Sequence, residues 1–393
     1  LKTSCPVPAH VLADHKALAI TFGITISKAI RGIFDEIPEP QQDQGHGSVE
    51  SDAERFSQGS EPLALRPDAS REDAQPVVDA EGRSRSGEIQ RTCTAGDGAE
   101  SRLGTRSARN ALPIDPLRNF NNFSITSAAA PPSGLVAKFK GNVAAIRTLK
   151  QIEEEERTAT DVEKSILTGF VGWGQFPQVF SNHPDWEQEN EELQDLLDSV
   201  EFEAARASTI NAHYTTPSIV RWMWAAAQRL GFNGGRVLEP ALGVGYFFGC
   251  IPDRLRAQTL LTGIEMDPVS SRIATLLYPG SNITISAFQD VPHLTNFYDL
   301  VIGNVPFGDI TVRRDKRYSS LKPSLHDYFI LRAVDEVRQG GLIILITSRY
   351  TLDREDQCVR AALASRAELI GAFRLPCTAF KALAGTEVVT DIV

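Results

Sequence analysis

From Thr209 to Val393, short apolar stretches alternate with amphipathic stretches of helical spacing. The predicted strands are residues 236–240, 260–265, 283–286, 300–302, 342–347 and 369–373. The predicted helices are residues 217–230, 269–278, 326–339 and 356–365. Strands that alternate with helices of this length form a mostly parallel, doubly wound sheet. The alternation therefore predicts an α/β fold that binds its ligands beyond the carboxyl ends of the strands.

The first predicted strand runs into a glycine loop, Glu239-Pro240-x-x-Gly243-x-Gly245. The glycines allow a sharp turn and a close approach of backbone to a ligand. Dinucleotide enzymes also use a GxG turn, so the glycines alone are weak evidence. A carboxylate before the turn repels a pyrophosphate, but it can accept hydrogen bonds from a cationic amino-acid ligand. S-adenosylmethionine is such a ligand, and Glu265 at the end of the next strand suits its ribose hydroxyls.

A polar segment just before the first helix of the sheet region is a second candidate for cofactor contact. It contains Tyr214, Thr216 and Pro217. Hydroxyl groups and the amides at a helix start can hold a carboxylate. A simple helix cap is the alternative interpretation.

The loop after the strand at 300–302 contains Asn304, Val305, Pro306 and Phe307. An amino group attached to an aromatic ring is a poor nucleophile because its lone pair is delocalised. The Asn304 side-chain oxygen and the Val305 carbonyl can accept its hydrogens and aim the lone pair at a methyl group, while Phe307 stacks on the ring. Alignment of the reacting atoms would supply much of the rate. A base in duplex DNA must be flipped out to reach such a loop.

Basic residues follow this loop directly, in a chain whose net charge is −10. They are Arg313, Arg314, Lys316, Arg317 and Lys322. A protein of this negative net charge does not bind nucleic acid over its whole surface, so a DNA partner needs a local basic patch of this kind. A solvated charged face is the alternative.

Composition narrows the remaining classes of protein. The five cysteines are scattered without a CxxC pair, which argues against a disulfide framework or a zinc site and indicates a cytoplasmic protein. No apolar run reaches the ~18 residues of a membrane span. We therefore expect neither a metal nor a membrane partner.

The sequence before residue 209 divides into two regions. Residues 1–134 form a mostly disordered or weakly structured region, with one or two short helices before residue 35, because polar and charged residues dominate it from about residue 35. Residues 135–208 carry helical spacing and aromatic residues, and form a helical lead-in segment. We expect residues 209–393 to be the catalytic domain, cut short at its C-terminal end.

The order of Tyr214-x-Thr216-Pro217, the glycine loop and Asn304-Val305-Pro306-Phe307 resembles the gamma-type N6-adenine DNA methyltransferases. The resemblance is closer to the methylase segment of large helicase–methyltransferase proteins of bacterial mobile elements and phages, and it covers roughly residues 135–393. It implies a Rossmann-like class I methyltransferase fold, S-adenosylmethionine as cofactor, and a helicase region elsewhere in the full-length protein. It also implies a role in restriction-modification.

Two positions depart from the family pattern. The second clamp residue is usually proline, and Val305 keeps the carbonyl but loses some rigidity. The strand around Ile285 lacks the acidic residue that commonly contacts the adenine amine of the cofactor, which leaves Phe288 as a stacking partner.

Two alternative functions remain open on the sequence. A protein glutamine methyltransferase faces the same chemical problem at a side-chain amide and uses a similar clamp. A non-catalytic module that binds cofactor or DNA within a larger helicase or anti-restriction protein is the other.

Overall fold

The computed structural model describes residues 121–125, 134–181, 183–210, 214–308, 310–312, 314–380 and 388–393. All the described residues lie within the compact unit Asn110–Val393. The predicted N-terminal helices and nearly all of the predicted disordered region lie outside the described residues. Residues 121–125 differ from that prediction, because Ile125 is buried in the core and the Asn122 carboxamide bonds to Ser281 and Gly280.

Among the described residues, four α-helices form the lead-in segment, for which the spacing predicts helical structure. They are α1 (Leu135–Glu154), α2 (Asp161–Leu167), α3 (Glu187–Leu196) and α4 (Ser199–Ser208). Thr160 and Glu163 form a capping box at the start of α2, and Asp198 and Glu201 form another at α4. These reciprocal bonds satisfy backbone N–H groups that a helix start leaves unpaired.

The sheet contains seven strands among the described residues. They are β1 (Gly235–Glu239), β2 (Thr259–Glu265), β3 (Asn282–Ile285), β4 (Tyr298–Asn304), β5 (Val337–Ser348), β6 (Phe373–Arg374) and β7 (Thr390–Ile392). The helices of this region are α5 (Pro217–Arg229), α6 (Tyr246–Gly249), α7 (Asp253–Arg256), α8 (Pro268–Leu277), α9 (Leu325–Glu336), α10 (Tyr350–Asp353) and α11 (Cys358–Ala364).

The strand order is β3-β2-β1-β4-β5-β7-β6, and β1 to β5 pair in parallel. Strand β7 runs antiparallel between β5 and β6. This is the Rossmann-like fold of class I S-adenosylmethionine-dependent methyltransferases. The order reverses between β1 and β4, the place where doubly wound sheets bind ligands.

Alternate residues of the central strands face two separate cores. Val237 and Leu300 belong to the larger core, which includes residues of α1, α2, α5 and α8, whereas Leu238 and Val301 belong to a second core with residues of α9. This two-residue period is that of a sheet covered on both faces. No helix among the described residues is both long and apolar enough to cross a membrane.

Two predicted boundaries were wrong. The helix predicted at 326–339 ends at Glu336, and β5 begins at Val337, which pairs with Tyr298 before a register shift. The strand predicted at 369–373 is reduced to Phe373–Arg374. Leu369 and Ile370 are apolar but exposed, so their strand-like pattern does not reflect burial in the sheet.

Candidate cofactor and substrate site

A cavity of about 560 Å³ lies at the carboxyl ends of β1 and β4. Most of the residues that the sequence predicts for the cofactor and substrate site line this cavity. These are Tyr214, Glu239, Pro240, Gly243, Glu265, Phe288, Asn304, Val305, Pro306, Phe307 and Arg314. A single cavity of this size, with a polar and an apolar part, is typical of a ligand site.

The glycine loop turns through left-handed backbone conformations that glycine adopts readily. Gly243 has φ +56°, and a Cβ there would lie 3.3 Å from the Tyr214 ring. Gly245 has φ +80°, and a Cβ there would lie 2.4 Å from the Tyr278 ring. Gly245 does not appear among the described residues that line the cavity, so its place in the fold is at the turn into α6.

The Glu265 carboxylate holds this loop from the neighbouring strand. Its Oε2 accepts the N–H of Gly243 at 2.7 Å, and its Oε1 accepts the N–H of Asp267 at 2.8 Å. Burial, with the nearby Asp267 charge, raises the pKa of Glu265 to about 7. Each carboxylate oxygen has a second lone pair, so these bonds leave acceptor capacity for a ligand.

Glu239 ends β1 and is buried, at 2% exposure. Within the described part of the chain, its Oε2 has no hydrogen-bond partner. Burial, and then the charge of Glu265, raises the pKa of Glu239 well above its ordinary value. A buried carboxylate without a partner is unfavourable, and a cationic ligand would relieve that cost.

Asp267 adds a third carboxylate to the same wall. Its Oδ2 accepts the N–H of Ser270 at 2.8 Å at the start of α8, and burial raises its pKa. None of Glu239, Glu265 and Asp267 forms a salt bridge with a described residue. We call these three residues the carboxylate cluster. The described residues contain no group of His, Cys, Asp or Glu arranged to hold a metal ion.

Tyr214 joins this wall from the segment before α5. Its hydroxyl lies 3.2 Å from Ser270 Oγ, and burial raises its pKa well above the ordinary value. Thr216 and Pro217 are the N-cap and first residue of α5 and are not among the described cavity-lining residues. Thr216 makes no side-chain capping bond at this position.

Phe288 lines the cavity but is occupied by its own neighbours. It is buried, the Arg332 guanidinium lies 4.0 Å from its ring centre, and the Phe329 ring lies at 4.9 Å. This packing leaves little of its ring face for the stacking role that the sequence predicts. Gln289, the next residue, lines the cavity and is half-buried.

The clamp loop is held at both ends. Asn304 is the last residue of β4, and the N–H of Val305 donates to the Ile346 carbonyl at 3.1 Å. The Gly308 carbonyl accepts the N–H of Leu325 at 3.2 Å. A proline at position 305 has no N–H for the bond to Ile346, so this bond offsets the rigidity that valine was expected to lose.

The wall beside the clamp is apolar. It includes Val305, Phe307, Val312, Leu325 and Phe329. Phe307 packs against both hydrophobic cores, which fixes the base of this wall. A planar apolar ring would fit here better than a charged group.

Only part of the predicted basic loop reaches the cavity. Arg314 lines it, is 75% exposed, and its Nη1 lies 3.0 Å from Asp290 Oδ2. Lys316, Arg317 and Lys322 are exposed and do not appear among the described lining residues, and Arg313 lies outside the described residues.

The helical lead-in segment closes one side of the cavity. Its lining residues are Gly172, Trp173, Ala204, Ala207 and Ser208. The buried Asn142 carboxamide fixes the loop that carries the first two, donating to the Gly172 carbonyl at 2.7 Å and accepting the Val171 N–H at 2.8 Å.

The sequence analysis also missed Asp267, Ser270 and Gln289 as lining residues. Asp267 was within reach of sequence reasoning, because an Asp followed by Pro268 is a helix-start signal directly after the strand that ends in Glu265. The lead-in residues carry no comparable local signal.

The chain is similar in sequence to a curated phage protein. The chain is 32% identical over 285 residues to "Defense against restriction protein B" of Escherichia phage P1. The match covers 69% of this chain but only 11% of the phage protein. No protein-family model matches the sequence.

Solved structures with a similar fold share little sequence with the chain. A type I restriction-modification methyltransferase subunit from Streptococcus thermophilus is 14% identical with a TM-score of 0.40, covering 64% of each chain. A protein of Listeria monocytogenes assigned to the class I S-adenosylmethionine-dependent methyltransferases is also 14% identical with a TM-score of 0.40, covering 66% of this chain and 88% of that one. The fold assignment rests on the strand order described above.

Proposed function

We propose that this chain is an S-adenosylmethionine-dependent DNA methyltransferase that acts on the N6 amino group of a flipped-out adenine. The observation that carries the proposal is the carboxylate cluster and the clamp loop Asn304 to Phe307 in one cavity. Residues 209–393 form the catalytic domain in this proposal. Residues 135–208 contribute a wall of its site.

The carboxylate cluster fits the charge of the proposed cofactor. Glu239 is buried with one unpartnered oxygen, and a ligand with an ammonium and a sulfonium would compensate it and Glu265. Glu265 would also accept hydrogen bonds from the ribose hydroxyls, while Gly243 admits the ligand close to the backbone. S-adenosylmethionine held there would supply an electrophilic methyl group on its sulfonium.

The clamp loop would orient the nucleophile. The Asn304 side-chain oxygen and the Val305 carbonyl would accept the two hydrogens of the amino group, which favours a pyramidal nitrogen with its lone pair directed at the methyl carbon. The anchoring of Val305 on Ile346 supports this role, since placement supplies much of the rate. The proton leaves for water after transfer, so no general base is required.

Two observations favour a DNA base over a protein glutamine. The wall beside the clamp is apolar and contains Phe307 and Phe329, which suits a planar ring. Arg314 lies at the cavity with a largely exposed guanidinium, where it can meet a phosphate. Lys316, Arg317 and Lys322 would extend that contact along the backbone.

The phage relative suggests a biological role. That relative is named for defence against restriction, and methylation of DNA is a direct means of protecting DNA from cleavage. We propose the same role for this chain, as part of a longer protein that also carries a helicase region. A non-catalytic cofactor-binding module within such a protein is the second candidate, favoured by the same 32% identity to an anti-restriction protein.

The test is methyl transfer from tritiated S-adenosylmethionine to unmethylated duplex DNA, with nucleoside analysis of the product. Asn304→Ala should lose the activity, and Asn233→Ala, an exposed residue outside the described cavity lining, should keep it. N6-methyladenine made by the wild type and lost only in Asn304→Ala supports the proposal. Transfer to a glutamine-containing peptide instead would select the protein methyltransferase, and cofactor binding without transfer would select the non-catalytic module.

A further inference from the structure

Ile310 is an apolar side chain at the mouth of the cavity. It lines the cavity and yet is 64% exposed. Among the described lining residues, only Met266, at 70%, is another large apolar side chain with such exposure. Single exposed apolar residues are common, so exposure alone does not assign a role. The position of Ile310 on its loop does.

The loop that carries Ile310 is anchored on both sides. Before it, the Gly308 carbonyl accepts the N–H of Leu325 at 3.2 Å. After it, Val312 is buried at 9% exposure and Asp315 accepts the Tyr328 hydroxyl at 3.2 Å. Described residues on either side of Ile310 are thus held by contacts, while the Ile310 side chain is largely exposed.

The two exposed apolar residues follow different predicted parts of the site in the chain. Met266 directly follows Glu265, so it belongs to the carboxylate side. Ile310 follows the clamp loop, and the exposed Arg314 comes four residues after it. An apolar side chain and a cation thus share the segment where a nucleic acid would approach the clamp.

We propose that Ile310 enters the base stack of duplex DNA and fills the space that the extruded base leaves. This inference rests on the proposed function. Extrusion of a paired base costs a few kcal/mol of stacking and pairing. An apolar wedge recovers part of that cost, as in proteins that insert such side chains between base steps. Ile310 would therefore matter for duplex DNA and not for single strands.

The test compares initial rates of methyl transfer on duplex DNA and on the same DNA after heat denaturation, using the full chain. We expect Ile310→Ala to lower the rate on duplex by about 10-fold or more and to change the rate on single strands by less than about 2-fold. Ile310→Leu should restore the duplex rate. Ile285→Ala is the matched control, since Ile285 is 53% exposed and absent from the described cavity lining.

An equal loss on both substrates would overturn the inference, because it would make Ile310 a wall of the base pocket. No change on either substrate would also overturn it. Cofactor titration of Ile310→Ala shows whether the variant is folded. Absence of transfer by the wild type on both DNAs would instead reject the proposed function, and the inference with it.

Discussion

The Oε2 of Glu265 accepts the backbone N–H of Gly243 at 2.7 Å and so ties the end of β2 to the glycine loop after β1. The same carboxylate belongs to the cluster that we assign to a cationic cofactor. One side chain therefore shapes the loop and supplies charge to the site. In the protein without cofactor, burial raises the pKa of Glu265 to about 7 and so disfavours the charged carboxylate that the cofactor needs.

The first prediction concerns stability against pH without cofactor. The pKa of Glu265 is higher in the folded state than its ordinary value of 4.5, so the folded state binds more protons between pH 4.5 and about 7. The free energy of unfolding should then fall as pH rises through this window, by on the order of 3 kcal/mol at most. Glu265→Gln should flatten this part of the profile. Urea unfolding at a series of pH values measures it, and an unchanged slope in the variant would contradict the assignment.

The second prediction concerns the lead-in loop. Asn142→Ala removes two buried hydrogen bonds and leaves the Val171 N–H and the Gly172 carbonyl without this partner. It should cost about 2–4 kcal/mol of stability, and cofactor affinity should fall because Gly172 and Trp173 line the cavity. Asn142→Asp keeps the acceptor for Val171 but turns a buried carboxylate oxygen towards the Gly172 carbonyl, so it should destabilise the protein at least as much as Asn142→Ala. Thermal melting of the variants measures the stability, and cofactor titration measures the affinity. Wild-type cofactor affinity in Asn142→Ala would argue against a role for this loop in closing the cavity.

The third prediction concerns Arg314 and Asp290. The Asp290 carboxylate pairs with the Arg314 guanidinium at 3.0 Å and competes with any phosphate for it. Asp290→Asn should raise DNA affinity about 2–5-fold, because an exposed ion pair is worth up to about 1 kcal/mol. Arg314→Ala should lower the affinity and reduce the slope of log affinity against log salt by about 1.

Glu191→Gln is the matched control for Asp290→Asn, because it makes the same change of charge at an exposed position on α3. Fluorescence anisotropy with a labelled duplex at several salt concentrations gives both quantities. If Glu191→Gln raises the affinity as much as Asp290→Asn, the effect is one of net charge and the contact is wrong.

The fourth prediction assigns Gln289 to the adenine of the cofactor. Phe288 is packed against Arg332 and Phe329, whereas the half-buried Gln289 offers a carboxamide oxygen for the adenine amine. The wild type should bind S-adenosylhomocysteine about 5-fold more tightly than its analogue without the 6-amino group, as one hydrogen bond of about 1 kcal/mol implies. Gln289→Ala should lose this preference, and Gln289→Glu, which keeps the acceptor, should retain it. A preference that survives in Gln289→Ala would exclude the contact.

Much of this arrangement could be predicted from local sequence. The alternation of apolar and amphipathic stretches predicts the parallel order, and it places the loops after β1 and β4 at one edge of the sheet. Glu239, Gly243, Glu265 and Asn304 each lie at or just beyond a strand end. Parallel topology brings such positions to one edge of the sheet, where these four residues line the same cavity.

What the sequence could not predict depends on contacts between distant parts of the chain. Trp173 and Ala204 reach the cavity only through the packing of the lead-in helices, which no local pattern encodes. The Tyr278 ring beside Gly245 and the Arg332 guanidinium over Phe288 also come from distant positions, so these contacts could not be predicted from local sequence.

The most direct test of the central claim is calorimetric titration of S-adenosylmethionine into the wild type and Glu239→Gln at pH 8. Glu239 is buried and carries an unpartnered oxygen among the described residues, so the variant should fold at least as stably and bind at least 10-fold more weakly. Saturable binding by the wild type, weakened in a folded Glu239→Gln, is the result that we predict. Equal affinity of the two proteins, or no binding by a folded wild type, would contradict the assignment of the carboxylate cluster to a cationic cofactor.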